Sequence, residues 1–345
     1  MLDKNIDLSQ LPEEELLNLR ICDLPLRIEG TWIEDCVKQL YQEIDSKGIK
    51  FKPLFYLSDE WLIPDQEPVV GIPFFLADPA LMRLEKKMML EVEGGTRHWA
   101  AKLLRHETGH AINYAYRLYK RKKWQRCFGR FSKEYLDTYR FRPYSKNFVR
   151  HLEDYYAQYH PDEDFAETFA VWLTPDLDCK AVYKGWKAWD KIKVVDDLMA
   201  EIKDKEPLIK KGRKYWDASR LRITLKSHYK KKRHFYAEDF PDFHDANLKK
   251  IFVERSPDTS KAPLAYEIIK KYRMTLLRSI SNWTGEKKYV INDLLKTISQ
   301  RCRELKLISK ESESSVVLRI SAYITTLIMN YMYTGKFGGR KCAKK

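Results

Sequence analysis

Two histidines four positions apart carry the most specific chemical signal in the sequence. They are His106 and His110, within the segment LLRHETGHAINYAY, and Glu107 directly follows the first of them. On an α-helix, residues i and i+4 lie on one face, so both imidazoles can point at one metal ion. Glu107 is rotated by about 100° around the helix axis and can reach a metal-bound water instead. The spacing therefore predicts a metal-binding helix that activates water.

The competing interpretation of this segment is a buried helix whose two histidines are hydrogen-bonded and bind nothing. The uncharged neighbours Leu103, Leu104, Ala111 and Ile112 suit a buried helix in either case. Histidine is scarce, with 8 in 345 residues, and the glutamate stands in the position that hydrolysis requires, so we favour the metal helix. A third ligand would decide, because a catalytic zinc takes three protein ligands and keeps one position for water.

Four downstream residues are candidates for the third ligand: His151, His160, Glu163 and Glu167. The two glutamates belong to the segment PDEDFAETFAVW and share one helical face, again at spacing i, i+4. One carboxylate can bind the metal while the other accepts the second ring N–H of a ligating histidine. The spacing alone does not say which does which. An acidic first turn favoured by the helix dipole would explain the acidic residues at 162–164, but not Glu167.

The combination of HETGH with EDFAE resembles the gluzincin branch of the zincin metallopeptidases. It is similar to bacterial zinc-binding metallopeptidases that pair HExxH with E-D-[FW]-A-E, and to the catalytic domain of anthrax lethal factor. The resemblance covers roughly residues 96–174. It implies that one Zn²⁺ is bound by His106, His110 and Glu163, while Glu167 lies outside the ligand set and orients a ligand.

The same resemblance implies a zinc-dependent peptidase, and we expect an endopeptidase that hydrolyses a protein or peptide substrate. Glu107 would act as the general base that takes a proton from the attacking water. In lethal factor a tyrosine seven residues before the glutamate ligand assists catalysis, and Tyr156 stands at that offset here. Tyr155 and Tyr159 are neighbouring alternatives, and a tyrosine on an amphipathic helix is more often a packing residue.

The expected fold class is α+β, with a zincin-like metallopeptidase domain at residues 1–215. We expect this domain to contain a small mixed sheet, the HExxH helix and the helix with the two glutamates. The run PVVGIPFFLA at residues 68–77 is rich in β-branched and aromatic residues but is broken by Pro73, which predicts an edge or terminal strand. An edge strand can pair with an extended peptide. Residues 216–345 are predicted to form a basic, mainly helical domain.

The net charge of +15 lies entirely in this second part of the chain. Residues 1–215 contain 36 Lys and Arg and 36 Asp and Glu, while residues 216–345 contain 28 and 13, and 28 minus 13 is 15. The segment KKKRHFY at residues 230–236 interleaves basic and aromatic side chains. An alternative function is therefore a nucleic-acid-associated or protein-binding module in which zinc is structural or auxiliary. We expect an anionic partner, either nucleic acid or an acidic protein, or a simple solvated surface.

From its composition we expect a cytoplasmic protein. No apolar run approaches the ~18 residues that span a bilayer, so no membrane span is expected. The polar, acidic start lacks the basic and apolar regions of a secretory signal. Six cysteines are scattered without a CxxC pair, which suggests neither a zinc ribbon nor a disulfide framework.

Overall fold

The computed structural model describes residues 7–135, 142, 144–152, 155–233, 244–255 and 262–334, and this part of the chain is mostly helical with a few short strands. The helices and strands follow in chain order as α1 (Glu13–Asn18), α2 (Trp32–Ser46), β1 (Leu54–Ser58), β2 (Val69–Pro73), α3 (Pro79–Met89), α4 (Arg97–Ala115), α5 (Lys122–Phe128), α6 (Pro161–Leu173), α7 (Cys179–Val182), α8 (Lys187–Ile202), α9 (Leu225–Arg233), α10 (Asp245–Ile251), β3 (Val253–Glu254), α11 (Ala265–Lys271), α12 (Arg273–Thr284), α13 (Lys288–Glu304), β4 (Leu307–Ile308) and α14 (Glu313–Thr334).

The chain divides into two compact units. The first consists of Met1–Lys87 and Val92–His228, and the second of Met88–Glu91 and Tyr229–Lys345. The boundary expected from the change in charge, between residues 215 and 216, lies before this division. Residues 216–228 therefore belong to the first unit. The backbone N–H of Ile21 donates to the carbonyl of Ile223 at 3.0 Å, and isolated β-bridges also connect this stretch to the rest of the unit.

The sheet of the first unit has two strands. Strands β1 and β2 pair in parallel, from Leu54 opposite Val69 to Ser58 opposite Pro73. On its other side β2 is covered by its own preceding loop, because Leu62 and Gly71 exchange two antiparallel backbone hydrogen bonds of 3.3 and 2.8 Å. Every residue of β2 is buried. Strand β2 thus lies at the edge of the two-stranded sheet, as predicted, and its outer side is bridged at Gly71 by the preceding loop.

Helices α4 and α6 carry the two sequence motifs, and local signals fix where each begins. Thr96 caps α4, and its hydroxyl accepts the backbone N–H of Trp99 at 3.2 Å. His160 caps α6, and Pro161 occupies the first helical turn, where its missing N–H leaves no bond unmade. Both motifs therefore lie within regular helices, as their spacing predicts.

A glycine allows α4 and α6 to approach closely. A Cβ atom at Gly109 would lie 2.8 Å from Cα and 3.1 Å from the carbonyl oxygen of Ala166. Both atoms belong to the backbone of α6, which cannot move aside as a flexible side chain would. On its other side α4 is joined to α2 by a buried ion pair, in which Arg105 binds Glu43 at 2.7 and 2.6 Å. These contacts fix α4 between two neighbours.

The helices of the second unit form a core of their own. Buried aliphatic side chains from α10 to α14, among them Leu248, Leu277, Leu295 and Ile320, pack together. The apolar faces between residues 264 and 333 are thus occupied within this unit, as the helical spacing indicates. Of the basic segment 230–236, residues 234–236 lie outside the described residues. Across the described residues, none of the helices has both the length and the apolar character needed to cross a bilayer.

Candidate metal centre

Three buried side chains from α4 and α6 converge on one point. They are His106, His110 and Glu163, and their ligand atoms all lie within 4.8 Å of one another. Nε2 of His106 and Nε2 of His110 are 3.2 Å apart. Oε2 of Glu163 lies 3.1 Å from the first nitrogen and 3.2 Å from the second. This group could hold a metal ion.

The triangle formed by these three atoms has the dimensions of a tetrahedral metal site. Two ligand atoms that are each about 2.0–2.1 Å from a zinc ion are separated by about 3.3 Å in a tetrahedron. The observed edges of 3.1 to 3.2 Å fall close to that value. Two imidazole nitrogens and one carboxylate oxygen are also a donor set that suits zinc. The residues therefore fit such an ion in both chemistry and spacing.

Glu167 orients the imidazole of His106. Its Oε1 atom lies 2.9 Å from Nδ1 of His106, on the side of the ring that faces away from the triangle. Its Oε2 atom accepts the backbone N–H groups of His151 at 3.3 Å and of Leu152 at 2.9 Å. A carboxylate held in this way keeps the proton on Nδ1 and leaves Nε2 free to bind a metal. Glu163 and Glu167 thus have distinct positions: Glu163 directs an oxygen at both Nε2 atoms, and Glu167 contacts Nδ1 of His106.

Asp162 has the same relationship to His110, and sequence reasoning missed it. Its Oδ2 atom lies 2.9 Å from Nδ1 of His110 and accepts the hydroxyl of Tyr114 at 2.6 Å, while Oδ1 accepts Nδ2 of Asn113 at 2.7 Å. The helix dipole is a sufficient reason for an acidic residue in the first turn of α6, so the sequence assigns Asp162 no role at the site. Adjacent helical positions differ by about 100° around the axis, so the spacing of Asp162 from Glu163 gave no signal for this role.

The carboxylates around the site stabilise positive charge at the two imidazoles. Burial alone would lower the pKa of His106, but hydrogen bonds to Glu163 and Glu167 outweigh burial and raise that pKa to about 9. Burial also opposes charge on His110, but Asp162 and Glu163 raise its pKa well above the ordinary value. The same carboxylates would stabilise a divalent cation between the two rings.

Glu107 is a buried carboxylate near the two histidines of the triangle. It follows His106 on α4, and its side chain is 8% exposed. Burial raises the pKa of its carboxyl group, although His106 and His110 lower it in part. Within the described part of the chain, none of the hydrogen bonds or ion pairs engages the Glu107 carboxylate. It is therefore available to accept a proton from a molecule that enters the site.

The two other candidate ligands from the sequence have structural roles. Nε2 of His151 lies 2.9 Å from the carbonyl oxygen of Lys102, and burial lowers the pKa of this histidine to about 4. Nδ1 of His160 accepts the backbone N–H of Asp162 at 3.1 Å, and its Nε2 lies 2.7 Å from the carbonyl oxygen of Lys133. Both rings are thus engaged with the backbone and are not part of the triangle.

Two tyrosines lie beside the triangle, one of them unforeseen. Tyr156 begins a short 3₁₀-helix (Tyr156–Gln158), and its ring centroid lies 5.6 Å from that of His106. The ring of Tyr159, one of the alternatives, lies 5.9 Å from that of Tyr156. Tyr135 was not a candidate, yet its hydroxyl donates to Oε1 of Glu163 at 3.1 Å. No sequence signal could have found it, because it lies on an irregular segment far from both motifs.

The site thus combines a metal-capable triangle, two carboxylates that orient its imidazoles, and a buried carboxylate with no partner among the described residues. In comparisons with protein-family models, with curated proteins and with solved structures, no significant match to this chain was found.

Proposed function

We propose that this protein is a zinc-dependent metallopeptidase, most simply an endopeptidase that hydrolyses peptide bonds of a protein substrate. The observation that carries the proposal is the convergence of His106 Nε2, His110 Nε2 and Glu163 Oε2 into one triangle with the carboxylate of Glu107 beside it. Within this proposal the first unit is a zincin-like α+β domain, in which α4 and α6 face each other across the metal centre.

Zinc is the metal that this donor set favours, and when bound it lowers the pKa of water to about 7 and polarises a substrate carbonyl. His106, His110 and Glu163 would be its protein ligands. Glu167 and Asp162 would keep the ligating nitrogens deprotonated by holding the proton of each ring at Nδ1.

Proton transfer is assigned to Glu107. Burial raises the pKa of this carboxyl group, and a base is most effective when its pKa is near the working pH. In the proposed reaction Glu107 accepts a proton from the attacking water and later passes it to the amine of the leaving peptide. Its place in α4 directs it away from the ligands His106 and His110 by helix geometry, so it does not compete with them for the metal.

Tyr156 is assigned the stabilisation of the tetrahedral oxyanion through a hydrogen bond from its hydroxyl. The support is its position, with the ring beside that of His106 and the side chain only partly buried. It is thus close to a metal ligand and reachable from solvent, as a residue that contacts substrate must be.

The metal centre is tested by zinc analysis of the purified full-length chain, with and without reloading after chelation. We expect about one zinc per wild-type chain and loss of the ion in His110→Ala. Asp164→Asn serves as the control on the same helix, because Asp164 is paired with Lys191 and not with the triangle. Absence of zinc from the wild type even after reloading would refute the metal centre.

Hydrolysis is tested with fluorescein-labelled casein and a library of internally quenched peptides. Wild type should cleave members of these sets, and Glu107→Gln should retain zinc but lose at least about 100-fold in kcat, the lower range for a general base. Glu14→Gln, which removes an exposed carboxylate from α1, controls for the change of charge. Unchanged cleavage by a zinc-loaded Glu107→Gln variant would show that the proposed mechanism is wrong.

A further inference from the structure

The segment that carries Tyr135 is attached to the start of α6. The carbonyl oxygen of Lys133 lies 2.7 Å from Nε2 of His160, the residue that caps this helix. The Tyr135 ring stacks on the imidazole of His160, with centroids 3.9 Å apart and planes inclined by 20°. Phe131 in the same segment stacks on Tyr119 at 4.2 Å. The backbone and rings of the segment therefore fix the position of the Tyr135 hydroxyl.

The two carboxylate oxygens of Glu163 have different neighbours. Oε2 faces the Nε2 atoms of His106 and His110, whereas Oε1 accepts the hydroxyl of Tyr135 at 3.1 Å. A carboxylate can bind a cation through one oxygen or through both. Binding through both oxygens would require Oε1 to turn from the hydroxyl towards the ion and to give up this hydrogen bond.

We propose that Tyr135 is a positioning residue of the metal centre, which keeps Glu163 bound through a single oxygen. Its hydroxyl is hydrogen-bonded to Oε1, so only Oε2 would bind the metal together with the two imidazoles. Such a set has three protein ligand atoms and leaves a coordination position for water or substrate, as catalytic zinc sites require. The inference rests on the metal site of the proposed function, but it does not depend on hydrolysis.

The side chain of Tyr135 is well suited to a test by substitution. It is 49% exposed, so Tyr135→Phe should fold, and the phenyl ring can keep its stacking on His160. This variant removes only the hydroxyl group that donates a hydrogen bond to Glu163. Tyr135→Ala removes the ring as well, so comparing the two variants separates the contribution of the hydroxyl from that of the ring stacking. Tyr144→Phe is the matched control, because Tyr144 is 92% exposed in the same region of the chain.

The experiment measures zinc affinity by competition with a chromophoric chelator, and the visible absorption of the cobalt-substituted full-length protein. Tyr135→Phe should bind zinc about 10-fold more weakly, the lower range for loss of a group that orients a ligand. Its cobalt absorption should also be weaker, because two-oxygen binding by Glu163 raises the coordination number, and cobalt absorbs less strongly in sites of higher coordination. Tyr144→Phe should match wild type in both measurements.

Three results would overturn the inference. The first is a Tyr135→Phe variant with wild-type affinity and spectrum. The second is loss of metal in Tyr135→Ala alone, which would assign the effect to the ring. The third is a wild-type chain that binds neither ion, which would also remove the metal centre. A wild type that binds zinc but cleaves no substrate would count against the peptidase only, because affinity and spectrum would still decide the role of Tyr135.

Discussion

The Nδ1 atom of His110 lies 2.9 Å from Oδ2 of Asp162, and that carboxylate is itself held by two other donors from α4. One donor is the hydroxyl of Tyr114 and the other is the side-chain amide of Asn113. Among the described residues, the side chains that contact this carboxylate belong to the helix that carries the HETGH motif. The orientation of one metal ligand is thus set by a residue of the opposite helix.

Asp162→Asn should weaken zinc binding by about 10- to 100-fold, the range for loss of a group that orients a ligand. An asparagine has one oxygen and one NH₂, whereas both oxygens of Asp162 accept hydrogen bonds. Its NH₂ must therefore face either Asn113 or the pair of His110 and Tyr114, and it can accept from neither. Zinc affinity measured by chelator competition checks this prediction. Wild-type affinity in this variant would show that Asp162 does not orient His110.

Glu167→Gln should lower either zinc affinity or stability, depending on which way the new amide faces. If the new NH₂ faces His106, it donates to Nδ1 and favours the tautomer that carries its proton on Nε2, which cannot bind a metal. If the amide turns around, the backbone N–H groups of His151 and Leu152 lose their acceptor. Each buried donor left without a partner costs about 1–3 kcal/mol.

Urea unfolding and zinc titration of this variant, compared with Glu14→Gln, separate the two outcomes. A loss of affinity with little loss of stability indicates the tautomer change, and the reverse indicates the turned amide. A variant that equals wild type in both measurements contradicts the role assigned to Glu167.

Gly109→Ala should destabilise the first unit by about 1–3 kcal/mol, the usual cost of overpacking. The added methyl group would meet the backbone of Ala166 at 2.8 Å, so α4 and α6 must move apart. Because the triangle is built from both helices, its edges should lengthen and zinc affinity should fall as well. Ala101→Ser, on a partly exposed face of α4, is the control. Unchanged stability and affinity would mean that the helices tolerate a wider separation.

Stability should decrease below neutral pH because of His151. Burial lowers the pKa of this histidine from its ordinary 6.5 to about 4. Between these two values the unfolded chain binds more protons at His151 than the folded chain, so the free energy of unfolding falls as the pH falls. At pH 5, which is 1.5 pH units below the ordinary pKa of 6.5, the loss in the free energy of unfolding is on the order of 2 kcal/mol, because each pH unit contributes about 1.36 kcal/mol.

The measurement compares unfolding of wild type and His151→Gln at pH 7 and pH 5. Glutamine can still donate to the carbonyl oxygen of Lys102 but does not titrate. The difference in stability between the two proteins should therefore shift by about 2 kcal/mol in favour of the variant at pH 5, while the titration of the metal ligands cancels. An equal pH dependence in both proteins would show that His151 is not buried as a neutral ring.

Helix periodicity accounts for the grouping of side chains that the sequence predicts and the structure brings together. His106 and His110 share a face, and Glu163 and Glu167 share another, because residues four apart are stacked in any regular helix. For residues 68–77 the sequence predicts a strand at the edge of a sheet, and β2 lies there. Propensity and Pro73 describe the strand itself, but they do not show that Leu62 pairs with it from an adjacent loop.

The sequence by itself determined two helices, each with a pair of potential ligands, since helix geometry depends only on neighbours along the chain. Tertiary structure decided that Glu163 faces both Nε2 atoms and that Glu167 faces Nδ1 of His106. Which glutamate faces which nitrogen depends on how far α6 is shifted along α4. The close contact between the backbone of Ala166 and Gly109 sets that shift. Tertiary structure also brought in Tyr135, because an irregular segment has no periodicity from which its position could be derived.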